Sequence, residues 1–495
     1  MKHDQQDNIG KFDVVVIGSG YGGLAAALDL AERGVSVALF EMLKYAGGCA
    51  STFQKDIYRF ETGATLFSGF HEAGLFTQWI KKHNMPVQFE LLDPIIDFRT
   101  KDWQLSLSPD REKTIERFCS LPHAPAENIR RFFFYQKEIA DTLWPLFEDA
   151  ARLPPFQLSG LSWHMGRFWK YPKLLPVINR SLFSLLQKFQ LADFKPLVEY
   201  CNALTQITIQ CSVYEAEALF ALSAMDYLFR GTGHIQNGIG ELSQAMIEAI
   251  RGSGGQVFMS NKIKKLEWKN GSWLISARKG TYQASKIIAN LLPPDIAKLV
   301  PDIPQPTQAT KYEASLSRAW GAGMLYLVLK DSEQLPSAAH HYQCISSSDE
   351  PLSEGNHIFC SLSSRDEDKK APSGYRTATV STHIPMPRYL SDIDRASYIQ
   401  KVQERMRKTI QERLPEIAAQ ITKEYPASPR TYQRFTNRSN GFVGGIPRTK
   451  GWHNYQNILP KQLYPNLWIA GDTSFPGQST LATALGGIRI AQRIA

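Results

Sequence analysis

VVVIGSGYGGLAAALDLAERGVSVALFE, residues 14–41, is the stretch that decides the fold class. Its first four residues, Val14 to Ile17, are β-branched and predict a buried strand, and Gly18, Gly20 and Gly23 follow without a break. An Ala- and Leu-rich run then predicts a helix that stops at Gly34, and Val35 to Phe40 predict a second strand that delivers Glu41 at its end. Each glycine has a physical task. Gly18 lets the chain leave the strand sharply, Gly20 has no side chain to hold a pyrophosphate away from the backbone, and Gly23 lets helix and strand pack closely. The open N–H groups at the helix N-terminus face the anion. Glu41 can accept hydrogen bonds from ribose hydroxyls, and it would repel a 2′-phosphate, which disfavours NADP.

The rest of the composition bounds what surrounds this unit. At 495 residues the chain is long enough for two or more domains, and 43% hydrophobic with 21% charged residues is the balance of a folded protein. No window reaches the roughly eighteen apolar residues of a spanning helix, and the N-terminal MKHDQQDNIGK has no apolar secretory core. The six cysteines form no CxxC pair, which argues against a zinc site or a disulfide framework and fits reduced thiols in the cytoplasm.

A net charge of +9 points to anionic partners. Between residues 161 and 190 the bases Arg167, Lys170, Lys173, Arg180 and Lys188 occur with no acid among them, interleaved with Trp163, Phe168, Trp169, Leu174, Leu175 and Phe183. That composition suits a segment lying in a lipid headgroup layer, so an anionic membrane surface is the expected partner. Nucleic acid is not expected, because no helix-turn-helix, RNP or zinc-finger pattern accompanies the charge.

Residues 72–225 read as helical and aromatic, broken at LPHAPAEN and ARLPPFQLSG. GTGHIQNGIGELSQAMIEAI, residues 231–250, supplies a glycine-rich turn and an amphipathic helix, after which Val257, Met259 and Ile263 read as one alternating strand. GMLYLVLK, NHIFCSL and RTATVSTHIP predict a second, mixed sheet. In the tail, Leu467 to Ala470 read as a short buried strand, Gly471 as its exit, Asp472 as a free carboxylate, and GQSTLATALGGIRIAQRI as a helix.

The N-terminal glycine motif with Glu41, the doublet in GGCASTF (residues 47–53) and the C-terminal LWIAGDTSFPGQ together resemble the two ends of the FAD-binding domain of the amine oxidase and phytoene desaturase superfamily. With GTGHIQNGIGELSQAM, SSRDEDKKAPSGYRTATVSTHIP and NRSNGFVGGIP, the chain is most similar to the carotenoid desaturase and isomerase branch. The resemblance spans most of the chain and is thin over 72–225. It implies an α/β fold: a Rossmann-like FAD-binding domain in three parts (1–71, 226–300 and 431–495), an inserted mixed-sheet substrate domain (301–430) and a helical, membrane-facing region (72–225). It implies FAD as cofactor, with Gly18, Gly20 and Gly23 on the pyrophosphate, Glu41 on the adenosine ribose, Gly47 and Gly48 on the flavin side, and Gly471 and Asp472 near the ribityl or pyrophosphate. The strand at Val257 to Ile263 would flank the adenine. Many relatives carry a basic residue after the doublet, where this chain has Cys49.

The implied chemistry is hydride transfer from an allylic C–H of a long polyene to the flavin N5, as in a carotenoid desaturase passing electrons to a quinone or oxygen, in a cytoplasmic, peripherally membrane-bound enzyme. A flavin-dependent isomerase or polyene saturase needs the same cofactor and tunnel. A prenyl- or lipid-binding module on the same fold, as in Rab GDP dissociation inhibitors, is the non-enzymatic alternative. Amine oxidation ranks lower, since the superfamily's aromatic pair is not evident around Trp468 and the basic charge repels cationic amines. No catalytic residue is named; His71, His234, His340, His341 and Glu72 are the bases considered. Adjacent His340 and His341 would point to opposite faces of a strand and make a poor metal site, so a surface turn is expected there and no metal.

Overall fold

The computed structural model describes residues 10–307, 310, 314, 318–456 and 458–495; residues 1–9, most of the polar N-terminal stretch, lie outside them. Strand β1 (Gly10–Ile17), helix α1 (Tyr21–Glu32) and strand β2 (Val37–Phe40) follow in order. β1 and β2 run parallel, with Val14 opposite Val37 and Ile17 opposite Phe40, so α1 is the crossover of a βαβ unit. Ala and Leu are strong helix formers, and nearly the whole circumference of α1 is buried. Gly34, at φ +74°, donates its N–H to Ala31 O at 2.9 Å and turns the chain into β2.

A helix buried all round must be covered on both sides. One cover is the first sheet. The other is made by the helices Gly240–Gly252 and Thr480–Ile494, so the two ends of the chain pack on each other. Contact there is backbone-close: a Cβ on Gly487 would lie 2.0 Å from Gly22 O, and one on Gly22 would lie 2.9 Å from Gly471 N.

Among the described residues the first sheet has eight strands, ordered Ile263–Lys269, Ser272–Ala277, Gly280–Ala289, β1, β2, Gln256–Phe258. Leu467–Ile469 pairs in parallel with the far end of Gly280–Ala289, and Gln462–Tyr464 pairs with it in turn. The stretch from Val257 to Ile263 is therefore not one strand. It breaks at Met259–Lys262, and its two halves belong to opposite edges of the sheet.

The second sheet has seven strands: Ile421–Ala427, Trp320–Lys330, Tyr375–Pro385, His357–Leu362, His340–Ile345, Ile96–Arg99 and Gln104–Leu107. It is mixed, because His340–Ile345 pairs in parallel with Ile96–Arg99 while the other neighbours are antiparallel. Its last two strands come from residues 72–225, which read from sequence as helical and aromatic between loops. Each is four residues long, too short to show alternation against its aromatic surroundings. The remainder of that region is mainly helical, led by Ala126–Phe147. Among the described residues no helix is long and apolar enough to cross a membrane.

Candidate functional site

A cavity of about 410 Å³ lies between the two sheets, walled on one side by the turns of the first and on the other by Ala322, Met324, Phe359, Thr382 and His383 of the second. Gly18, at φ +92°, ends β1, and Gly20 caps α1 with no side chain bonded to the helix terminus, so the first-turn N–H groups face the cavity. Gly20 and Gly471 crowd the Asn290 amide: a Cβ would fall 2.7 Å from Asn290 Nδ2 at Gly20 and 2.5 Å from Oδ1 at Gly471. Asn290 follows the long strand Gly280–Ala289 and donates to Gly18 O at 3.4 Å, tying that strand to the turn.

Gly23 has the packing role read from its spacing. It does not line the cavity, and a Cβ there would meet Gly18 O at 2.0 Å. Its part is to seat α1 against β1, and the cavity-facing glycines of the motif are Gly18, Gly20 and Gly22.

Glu41 is buried and holds the turn from below. Its Oε2 accepts from Ser19 N at 2.9 Å and Ser19 Oγ at 2.6 Å, and its Oε1 accepts from Leu43 N at 2.8 Å. A carboxylate has about four acceptor positions, so capacity remains for a ribose hydroxyl. Asn261, Lys262 and Ile263 line the same end, where Asn261 N donates to Glu41 O at 2.8 Å. The chain between the two edge strands thus lines the Glu41 end of the cavity.

Gly47 and Gly48 both have positive φ and line the cavity, and Gly47 N donates to Ser19 O at 2.9 Å. Asp472 lies across from them and accepts from Arg438 Nη2 at 2.8 Å. Burial, the largest single influence, would lower the Arg438 pKa; Asp472, Cys49 and Asp295 together outweigh it and hold the guanidinium above its ordinary value. Cys49 lines the cavity with its pKa raised, first by burial, so it stays a neutral thiol. Arg438, whose charge reaches Cys49, brings a cation beside that thiol. NRSNGFVGGIP carried Arg438 in sequence, but no local spacing revealed its role. Among the described residues the six cysteines are free and no metal-binding group of His, Cys, Asp or Glu occurs.

None of the histidines considered from the sequence lines the cavity. His340 Nε2 bonds Asp97 at 2.7 Å, His341 Nδ1 bonds Ser361 Oγ at 2.8 Å, His234 faces Glu367 at 3.0 Å, and His71 Nδ1 is 3.3 Å from Arg230 O. His340 and His341 open a strand within the second sheet, not a surface turn. The histidine in the cavity wall is His383, which sequence reasoning passed over as one more strand residue. Burial lowers its pKa to about 4, so the ring is neutral at physiological pH.

The residues fit a dinucleotide. Side-chain-free approaches sit where anionic oxygens need backbone N–H groups, Glu41 sits where a ribose needs an acceptor, and the buried Gln210 Oε1 of the lining has no partner within the described protein. Beyond them Leu66, Ile207, Leu228, Met324 and Phe359 make the wall apolar. The two chemistries share one cavity.

A family model described as flavin containing amine oxidoreductase matches residues 21–495. The chain is 24% identical over 507 residues to prolycopene isomerase 1 of an Oncidium hybrid cultivar, covering 98% of this chain and 84% of the relative. It is 23% identical over 513 residues to a 4,4′-diapophytoene desaturase (4,4′-diapolycopene-forming) of Methylomonas, covering 97% and 94%. An oxidoreductase from Methanosarcina mazei superposes with a TM-score of 0.64 at 16% identity, covering 97% of this chain and all of that one, a likeness of fold alone.

Proposed function

The chain belongs to the flavin-containing amine oxidoreductase family, and from that premise we propose that it is an FAD-dependent oxidoreductase acting on a long hydrophobic polyene of the carotenoid class. The observation that carries this reading is the single cavity in which the glycine-lined turns of both chain ends meet an apolar wall from the second sheet. FAD, when bound, supplies two-electron acceptor chemistry. Gly18, Gly20 and Gly22 would approach its pyrophosphate, Glu41 its adenosine ribose, Gly47 and Gly48 its flavin half, and Gly471 and Asp472 with Arg438 the ribityl or pyrophosphate region.

The protein's own work is binding, orientation and exclusion of water. Leu66, Ile207 and Phe359 present hydrocarbon to hydrocarbon, which holds a polyene in register and keeps the reacting carbon dry. His383, neutral in the same wall, can take a proton at its imidazole nitrogen. Desaturation is the first reading. Isomerisation is the second, favoured by the prolycopene isomerase among the relatives. The electron acceptor of a desaturase here would be a quinone or oxygen.

Such a substrate resides in lipid, and we infer that the helical region meets an anionic membrane surface, on the cytoplasmic side where free thiols persist. Its support is exposure: Leu158, Met165, Phe168, Trp169 and Leu175 are all more than half exposed. A binding module without turnover is disfavoured because the glycine cradle is intact at both ends.

Expression in cells that accumulate defined carotenoid precursors tests the reading. A bathochromic shift of the extracted pigments marks lengthened conjugation and a desaturase; an altered geometry at constant chromophore length marks an isomerase. Pigments that remain unchanged while the protein is flavin-loaded would remove both.

A further inference from the structure

A second cavity, of about 240 Å³, lies apart from the dinucleotide site, between the helix Ala126–Phe147 and the short helical segments Leu158–Met165 and Phe168–Leu174. Arg152, Arg167 and Lys170 line it together with Trp163, Tyr171 and one carboxylate, Asp141. Asp141 is engaged outside that group, by Lys137 Nζ at 2.6 Å. Arg152 pairs with Asp149 at 3.0 Å, whereas among the described residues Arg167 and Lys170 form no ion pair. The guanidinium carbons of Arg152 and Arg167 both lie over the Trp163 ring, at 4.6 and 4.3 Å from its centroid.

The arrangement is held in place. His164 bonds Tyr171 OH through Nδ1 and Arg152 O at 2.9 Å through Nε2, which clamps the two short segments to the preceding loop. Arg167 and Lys170, the bases of the hollow without an ion pair among the described residues, repel one another, and an anion between them removes that repulsion. Guanidinium forks match phosphate oxygens, and an ammonium adds a point charge.

The surroundings identify the source of the anion. Within residues 156–175, Leu158 is 86% exposed, Met165 76%, Leu175 69%, Phe168 67% and Trp169 59%. Soluble surfaces scatter such side chains singly. Clustered next to unpaired bases, they match a segment whose apolar residues enter the acyl boundary while its bases meet headgroups.

We propose that this cavity seats the phosphate of an anionic phospholipid and thereby anchors the helical region at a fixed depth. The proposal rests on the membrane access inferred above and adds a discrete headgroup site to it.

Co-sedimentation of the flavin-loaded protein with vesicles of phosphatidylcholine, and of phosphatidylcholine containing phosphatidylglycerol, tests it. Wild type is expected to favour the anionic vesicles. The double variant Arg167→Gln, Lys170→Gln should keep its flavin and lose more than the roughly thirty-fold that two bases contribute near an anionic surface by general attraction. Arg180→Gln, Lys188→Gln removes the same charge from the same basic segment outside the cavity and should lose much less. Equal losses in the two double variants would reduce the effect to general charge and overturn the site. Inorganic phosphate at constant ionic strength should weaken the wild-type partition to anionic vesicles, because it competes for the same seat; phosphate binding that leaves the partition unchanged would assign the cavity to free phosphate and overturn the headgroup site. Wild type that ignores both vesicle types would remove the membrane-access reading itself. Equal partition of wild type to both would remove the headgroup site alone.

Discussion

Single residues at the glycine turn separate binding from folding. Gly20→Val introduces a branched side chain where the nearest group is the end of the Asn290 amide, 2.7 Å from the new Cβ, and that side chain can shift. Gly23→Ala places its Cβ 2.0 Å from the Gly18 carbonyl, which cannot shift without moving β1. The first variant is expected to fold and lose flavin. The second should unfold more readily by about 1–3 kcal/mol, with or without flavin, as overpacking does. Flavin absorbance and urea unfolding of both proteins separate these outcomes. His383→Gln should keep the flavin and lower turnover by roughly 10²-fold, the usual lower value for a general base. With a pKa near 4, the wild-type rate should be flat above pH 5 or so and fall below it. Unaltered turnover in the variant would show that the proton leaves by another route.

Among elements, the second sheet is the acid-sensitive one. His357 and His383 stand on its adjacent strands, with pKa values lowered by burial to about 3 and about 4, and the Gln343 amide donates to His357 Nε2 at 2.8 Å. The folded values lie below the unfolded one near 6.5, so the unfolded chain binds more protons between them. Stability is therefore constant above pH 6.5 or so and falls as pH drops toward 4, by up to about 1.4 kcal/mol per pH unit for each ring. Urea midpoints between pH 8 and 5 should show that fall, and His357→Gln should reduce it without abolishing it, because buried His341 of the same sheet is lowered as well. A flat profile would mean that both rings protonate without disturbing the sheet.

At the scale of the whole molecule, what was legible in the sequence was what lies contiguous in the chain. The strand, turn and helix at residues 14–41 put their chemistry on neighbouring positions, so Gly18, Gly20 and Glu41 could be placed from spacing alone. Asn290, Arg438 and His383 reach the cavity from the end of a long strand, a loop and the second sheet. The cavity contacts that place them span the chain, 34 residues from Arg438 to Asp472 and 272 from Asn290 to Gly18, and no local pattern carries that information. Gly22 was missed in favour of Gly23 because the motif counts positions, whereas the helix turns by about 100° per residue and faces them differently. The strands at Ile96–Arg99 and Gln104–Leu107 were hidden by their brevity.

The two chain ends close around one cavity next to an apolar wall, where one flavin would sit. The most direct test is the absorption spectrum of the purified protein, read before and after anaerobic addition of a long polyene. The expected result is a yellow protein with one FAD per chain, whose flavin bands shift or bleach when the polyene is added. A colourless protein that FAD cannot reconstitute, or a flavin spectrum indifferent to every polyene tried, would contradict it.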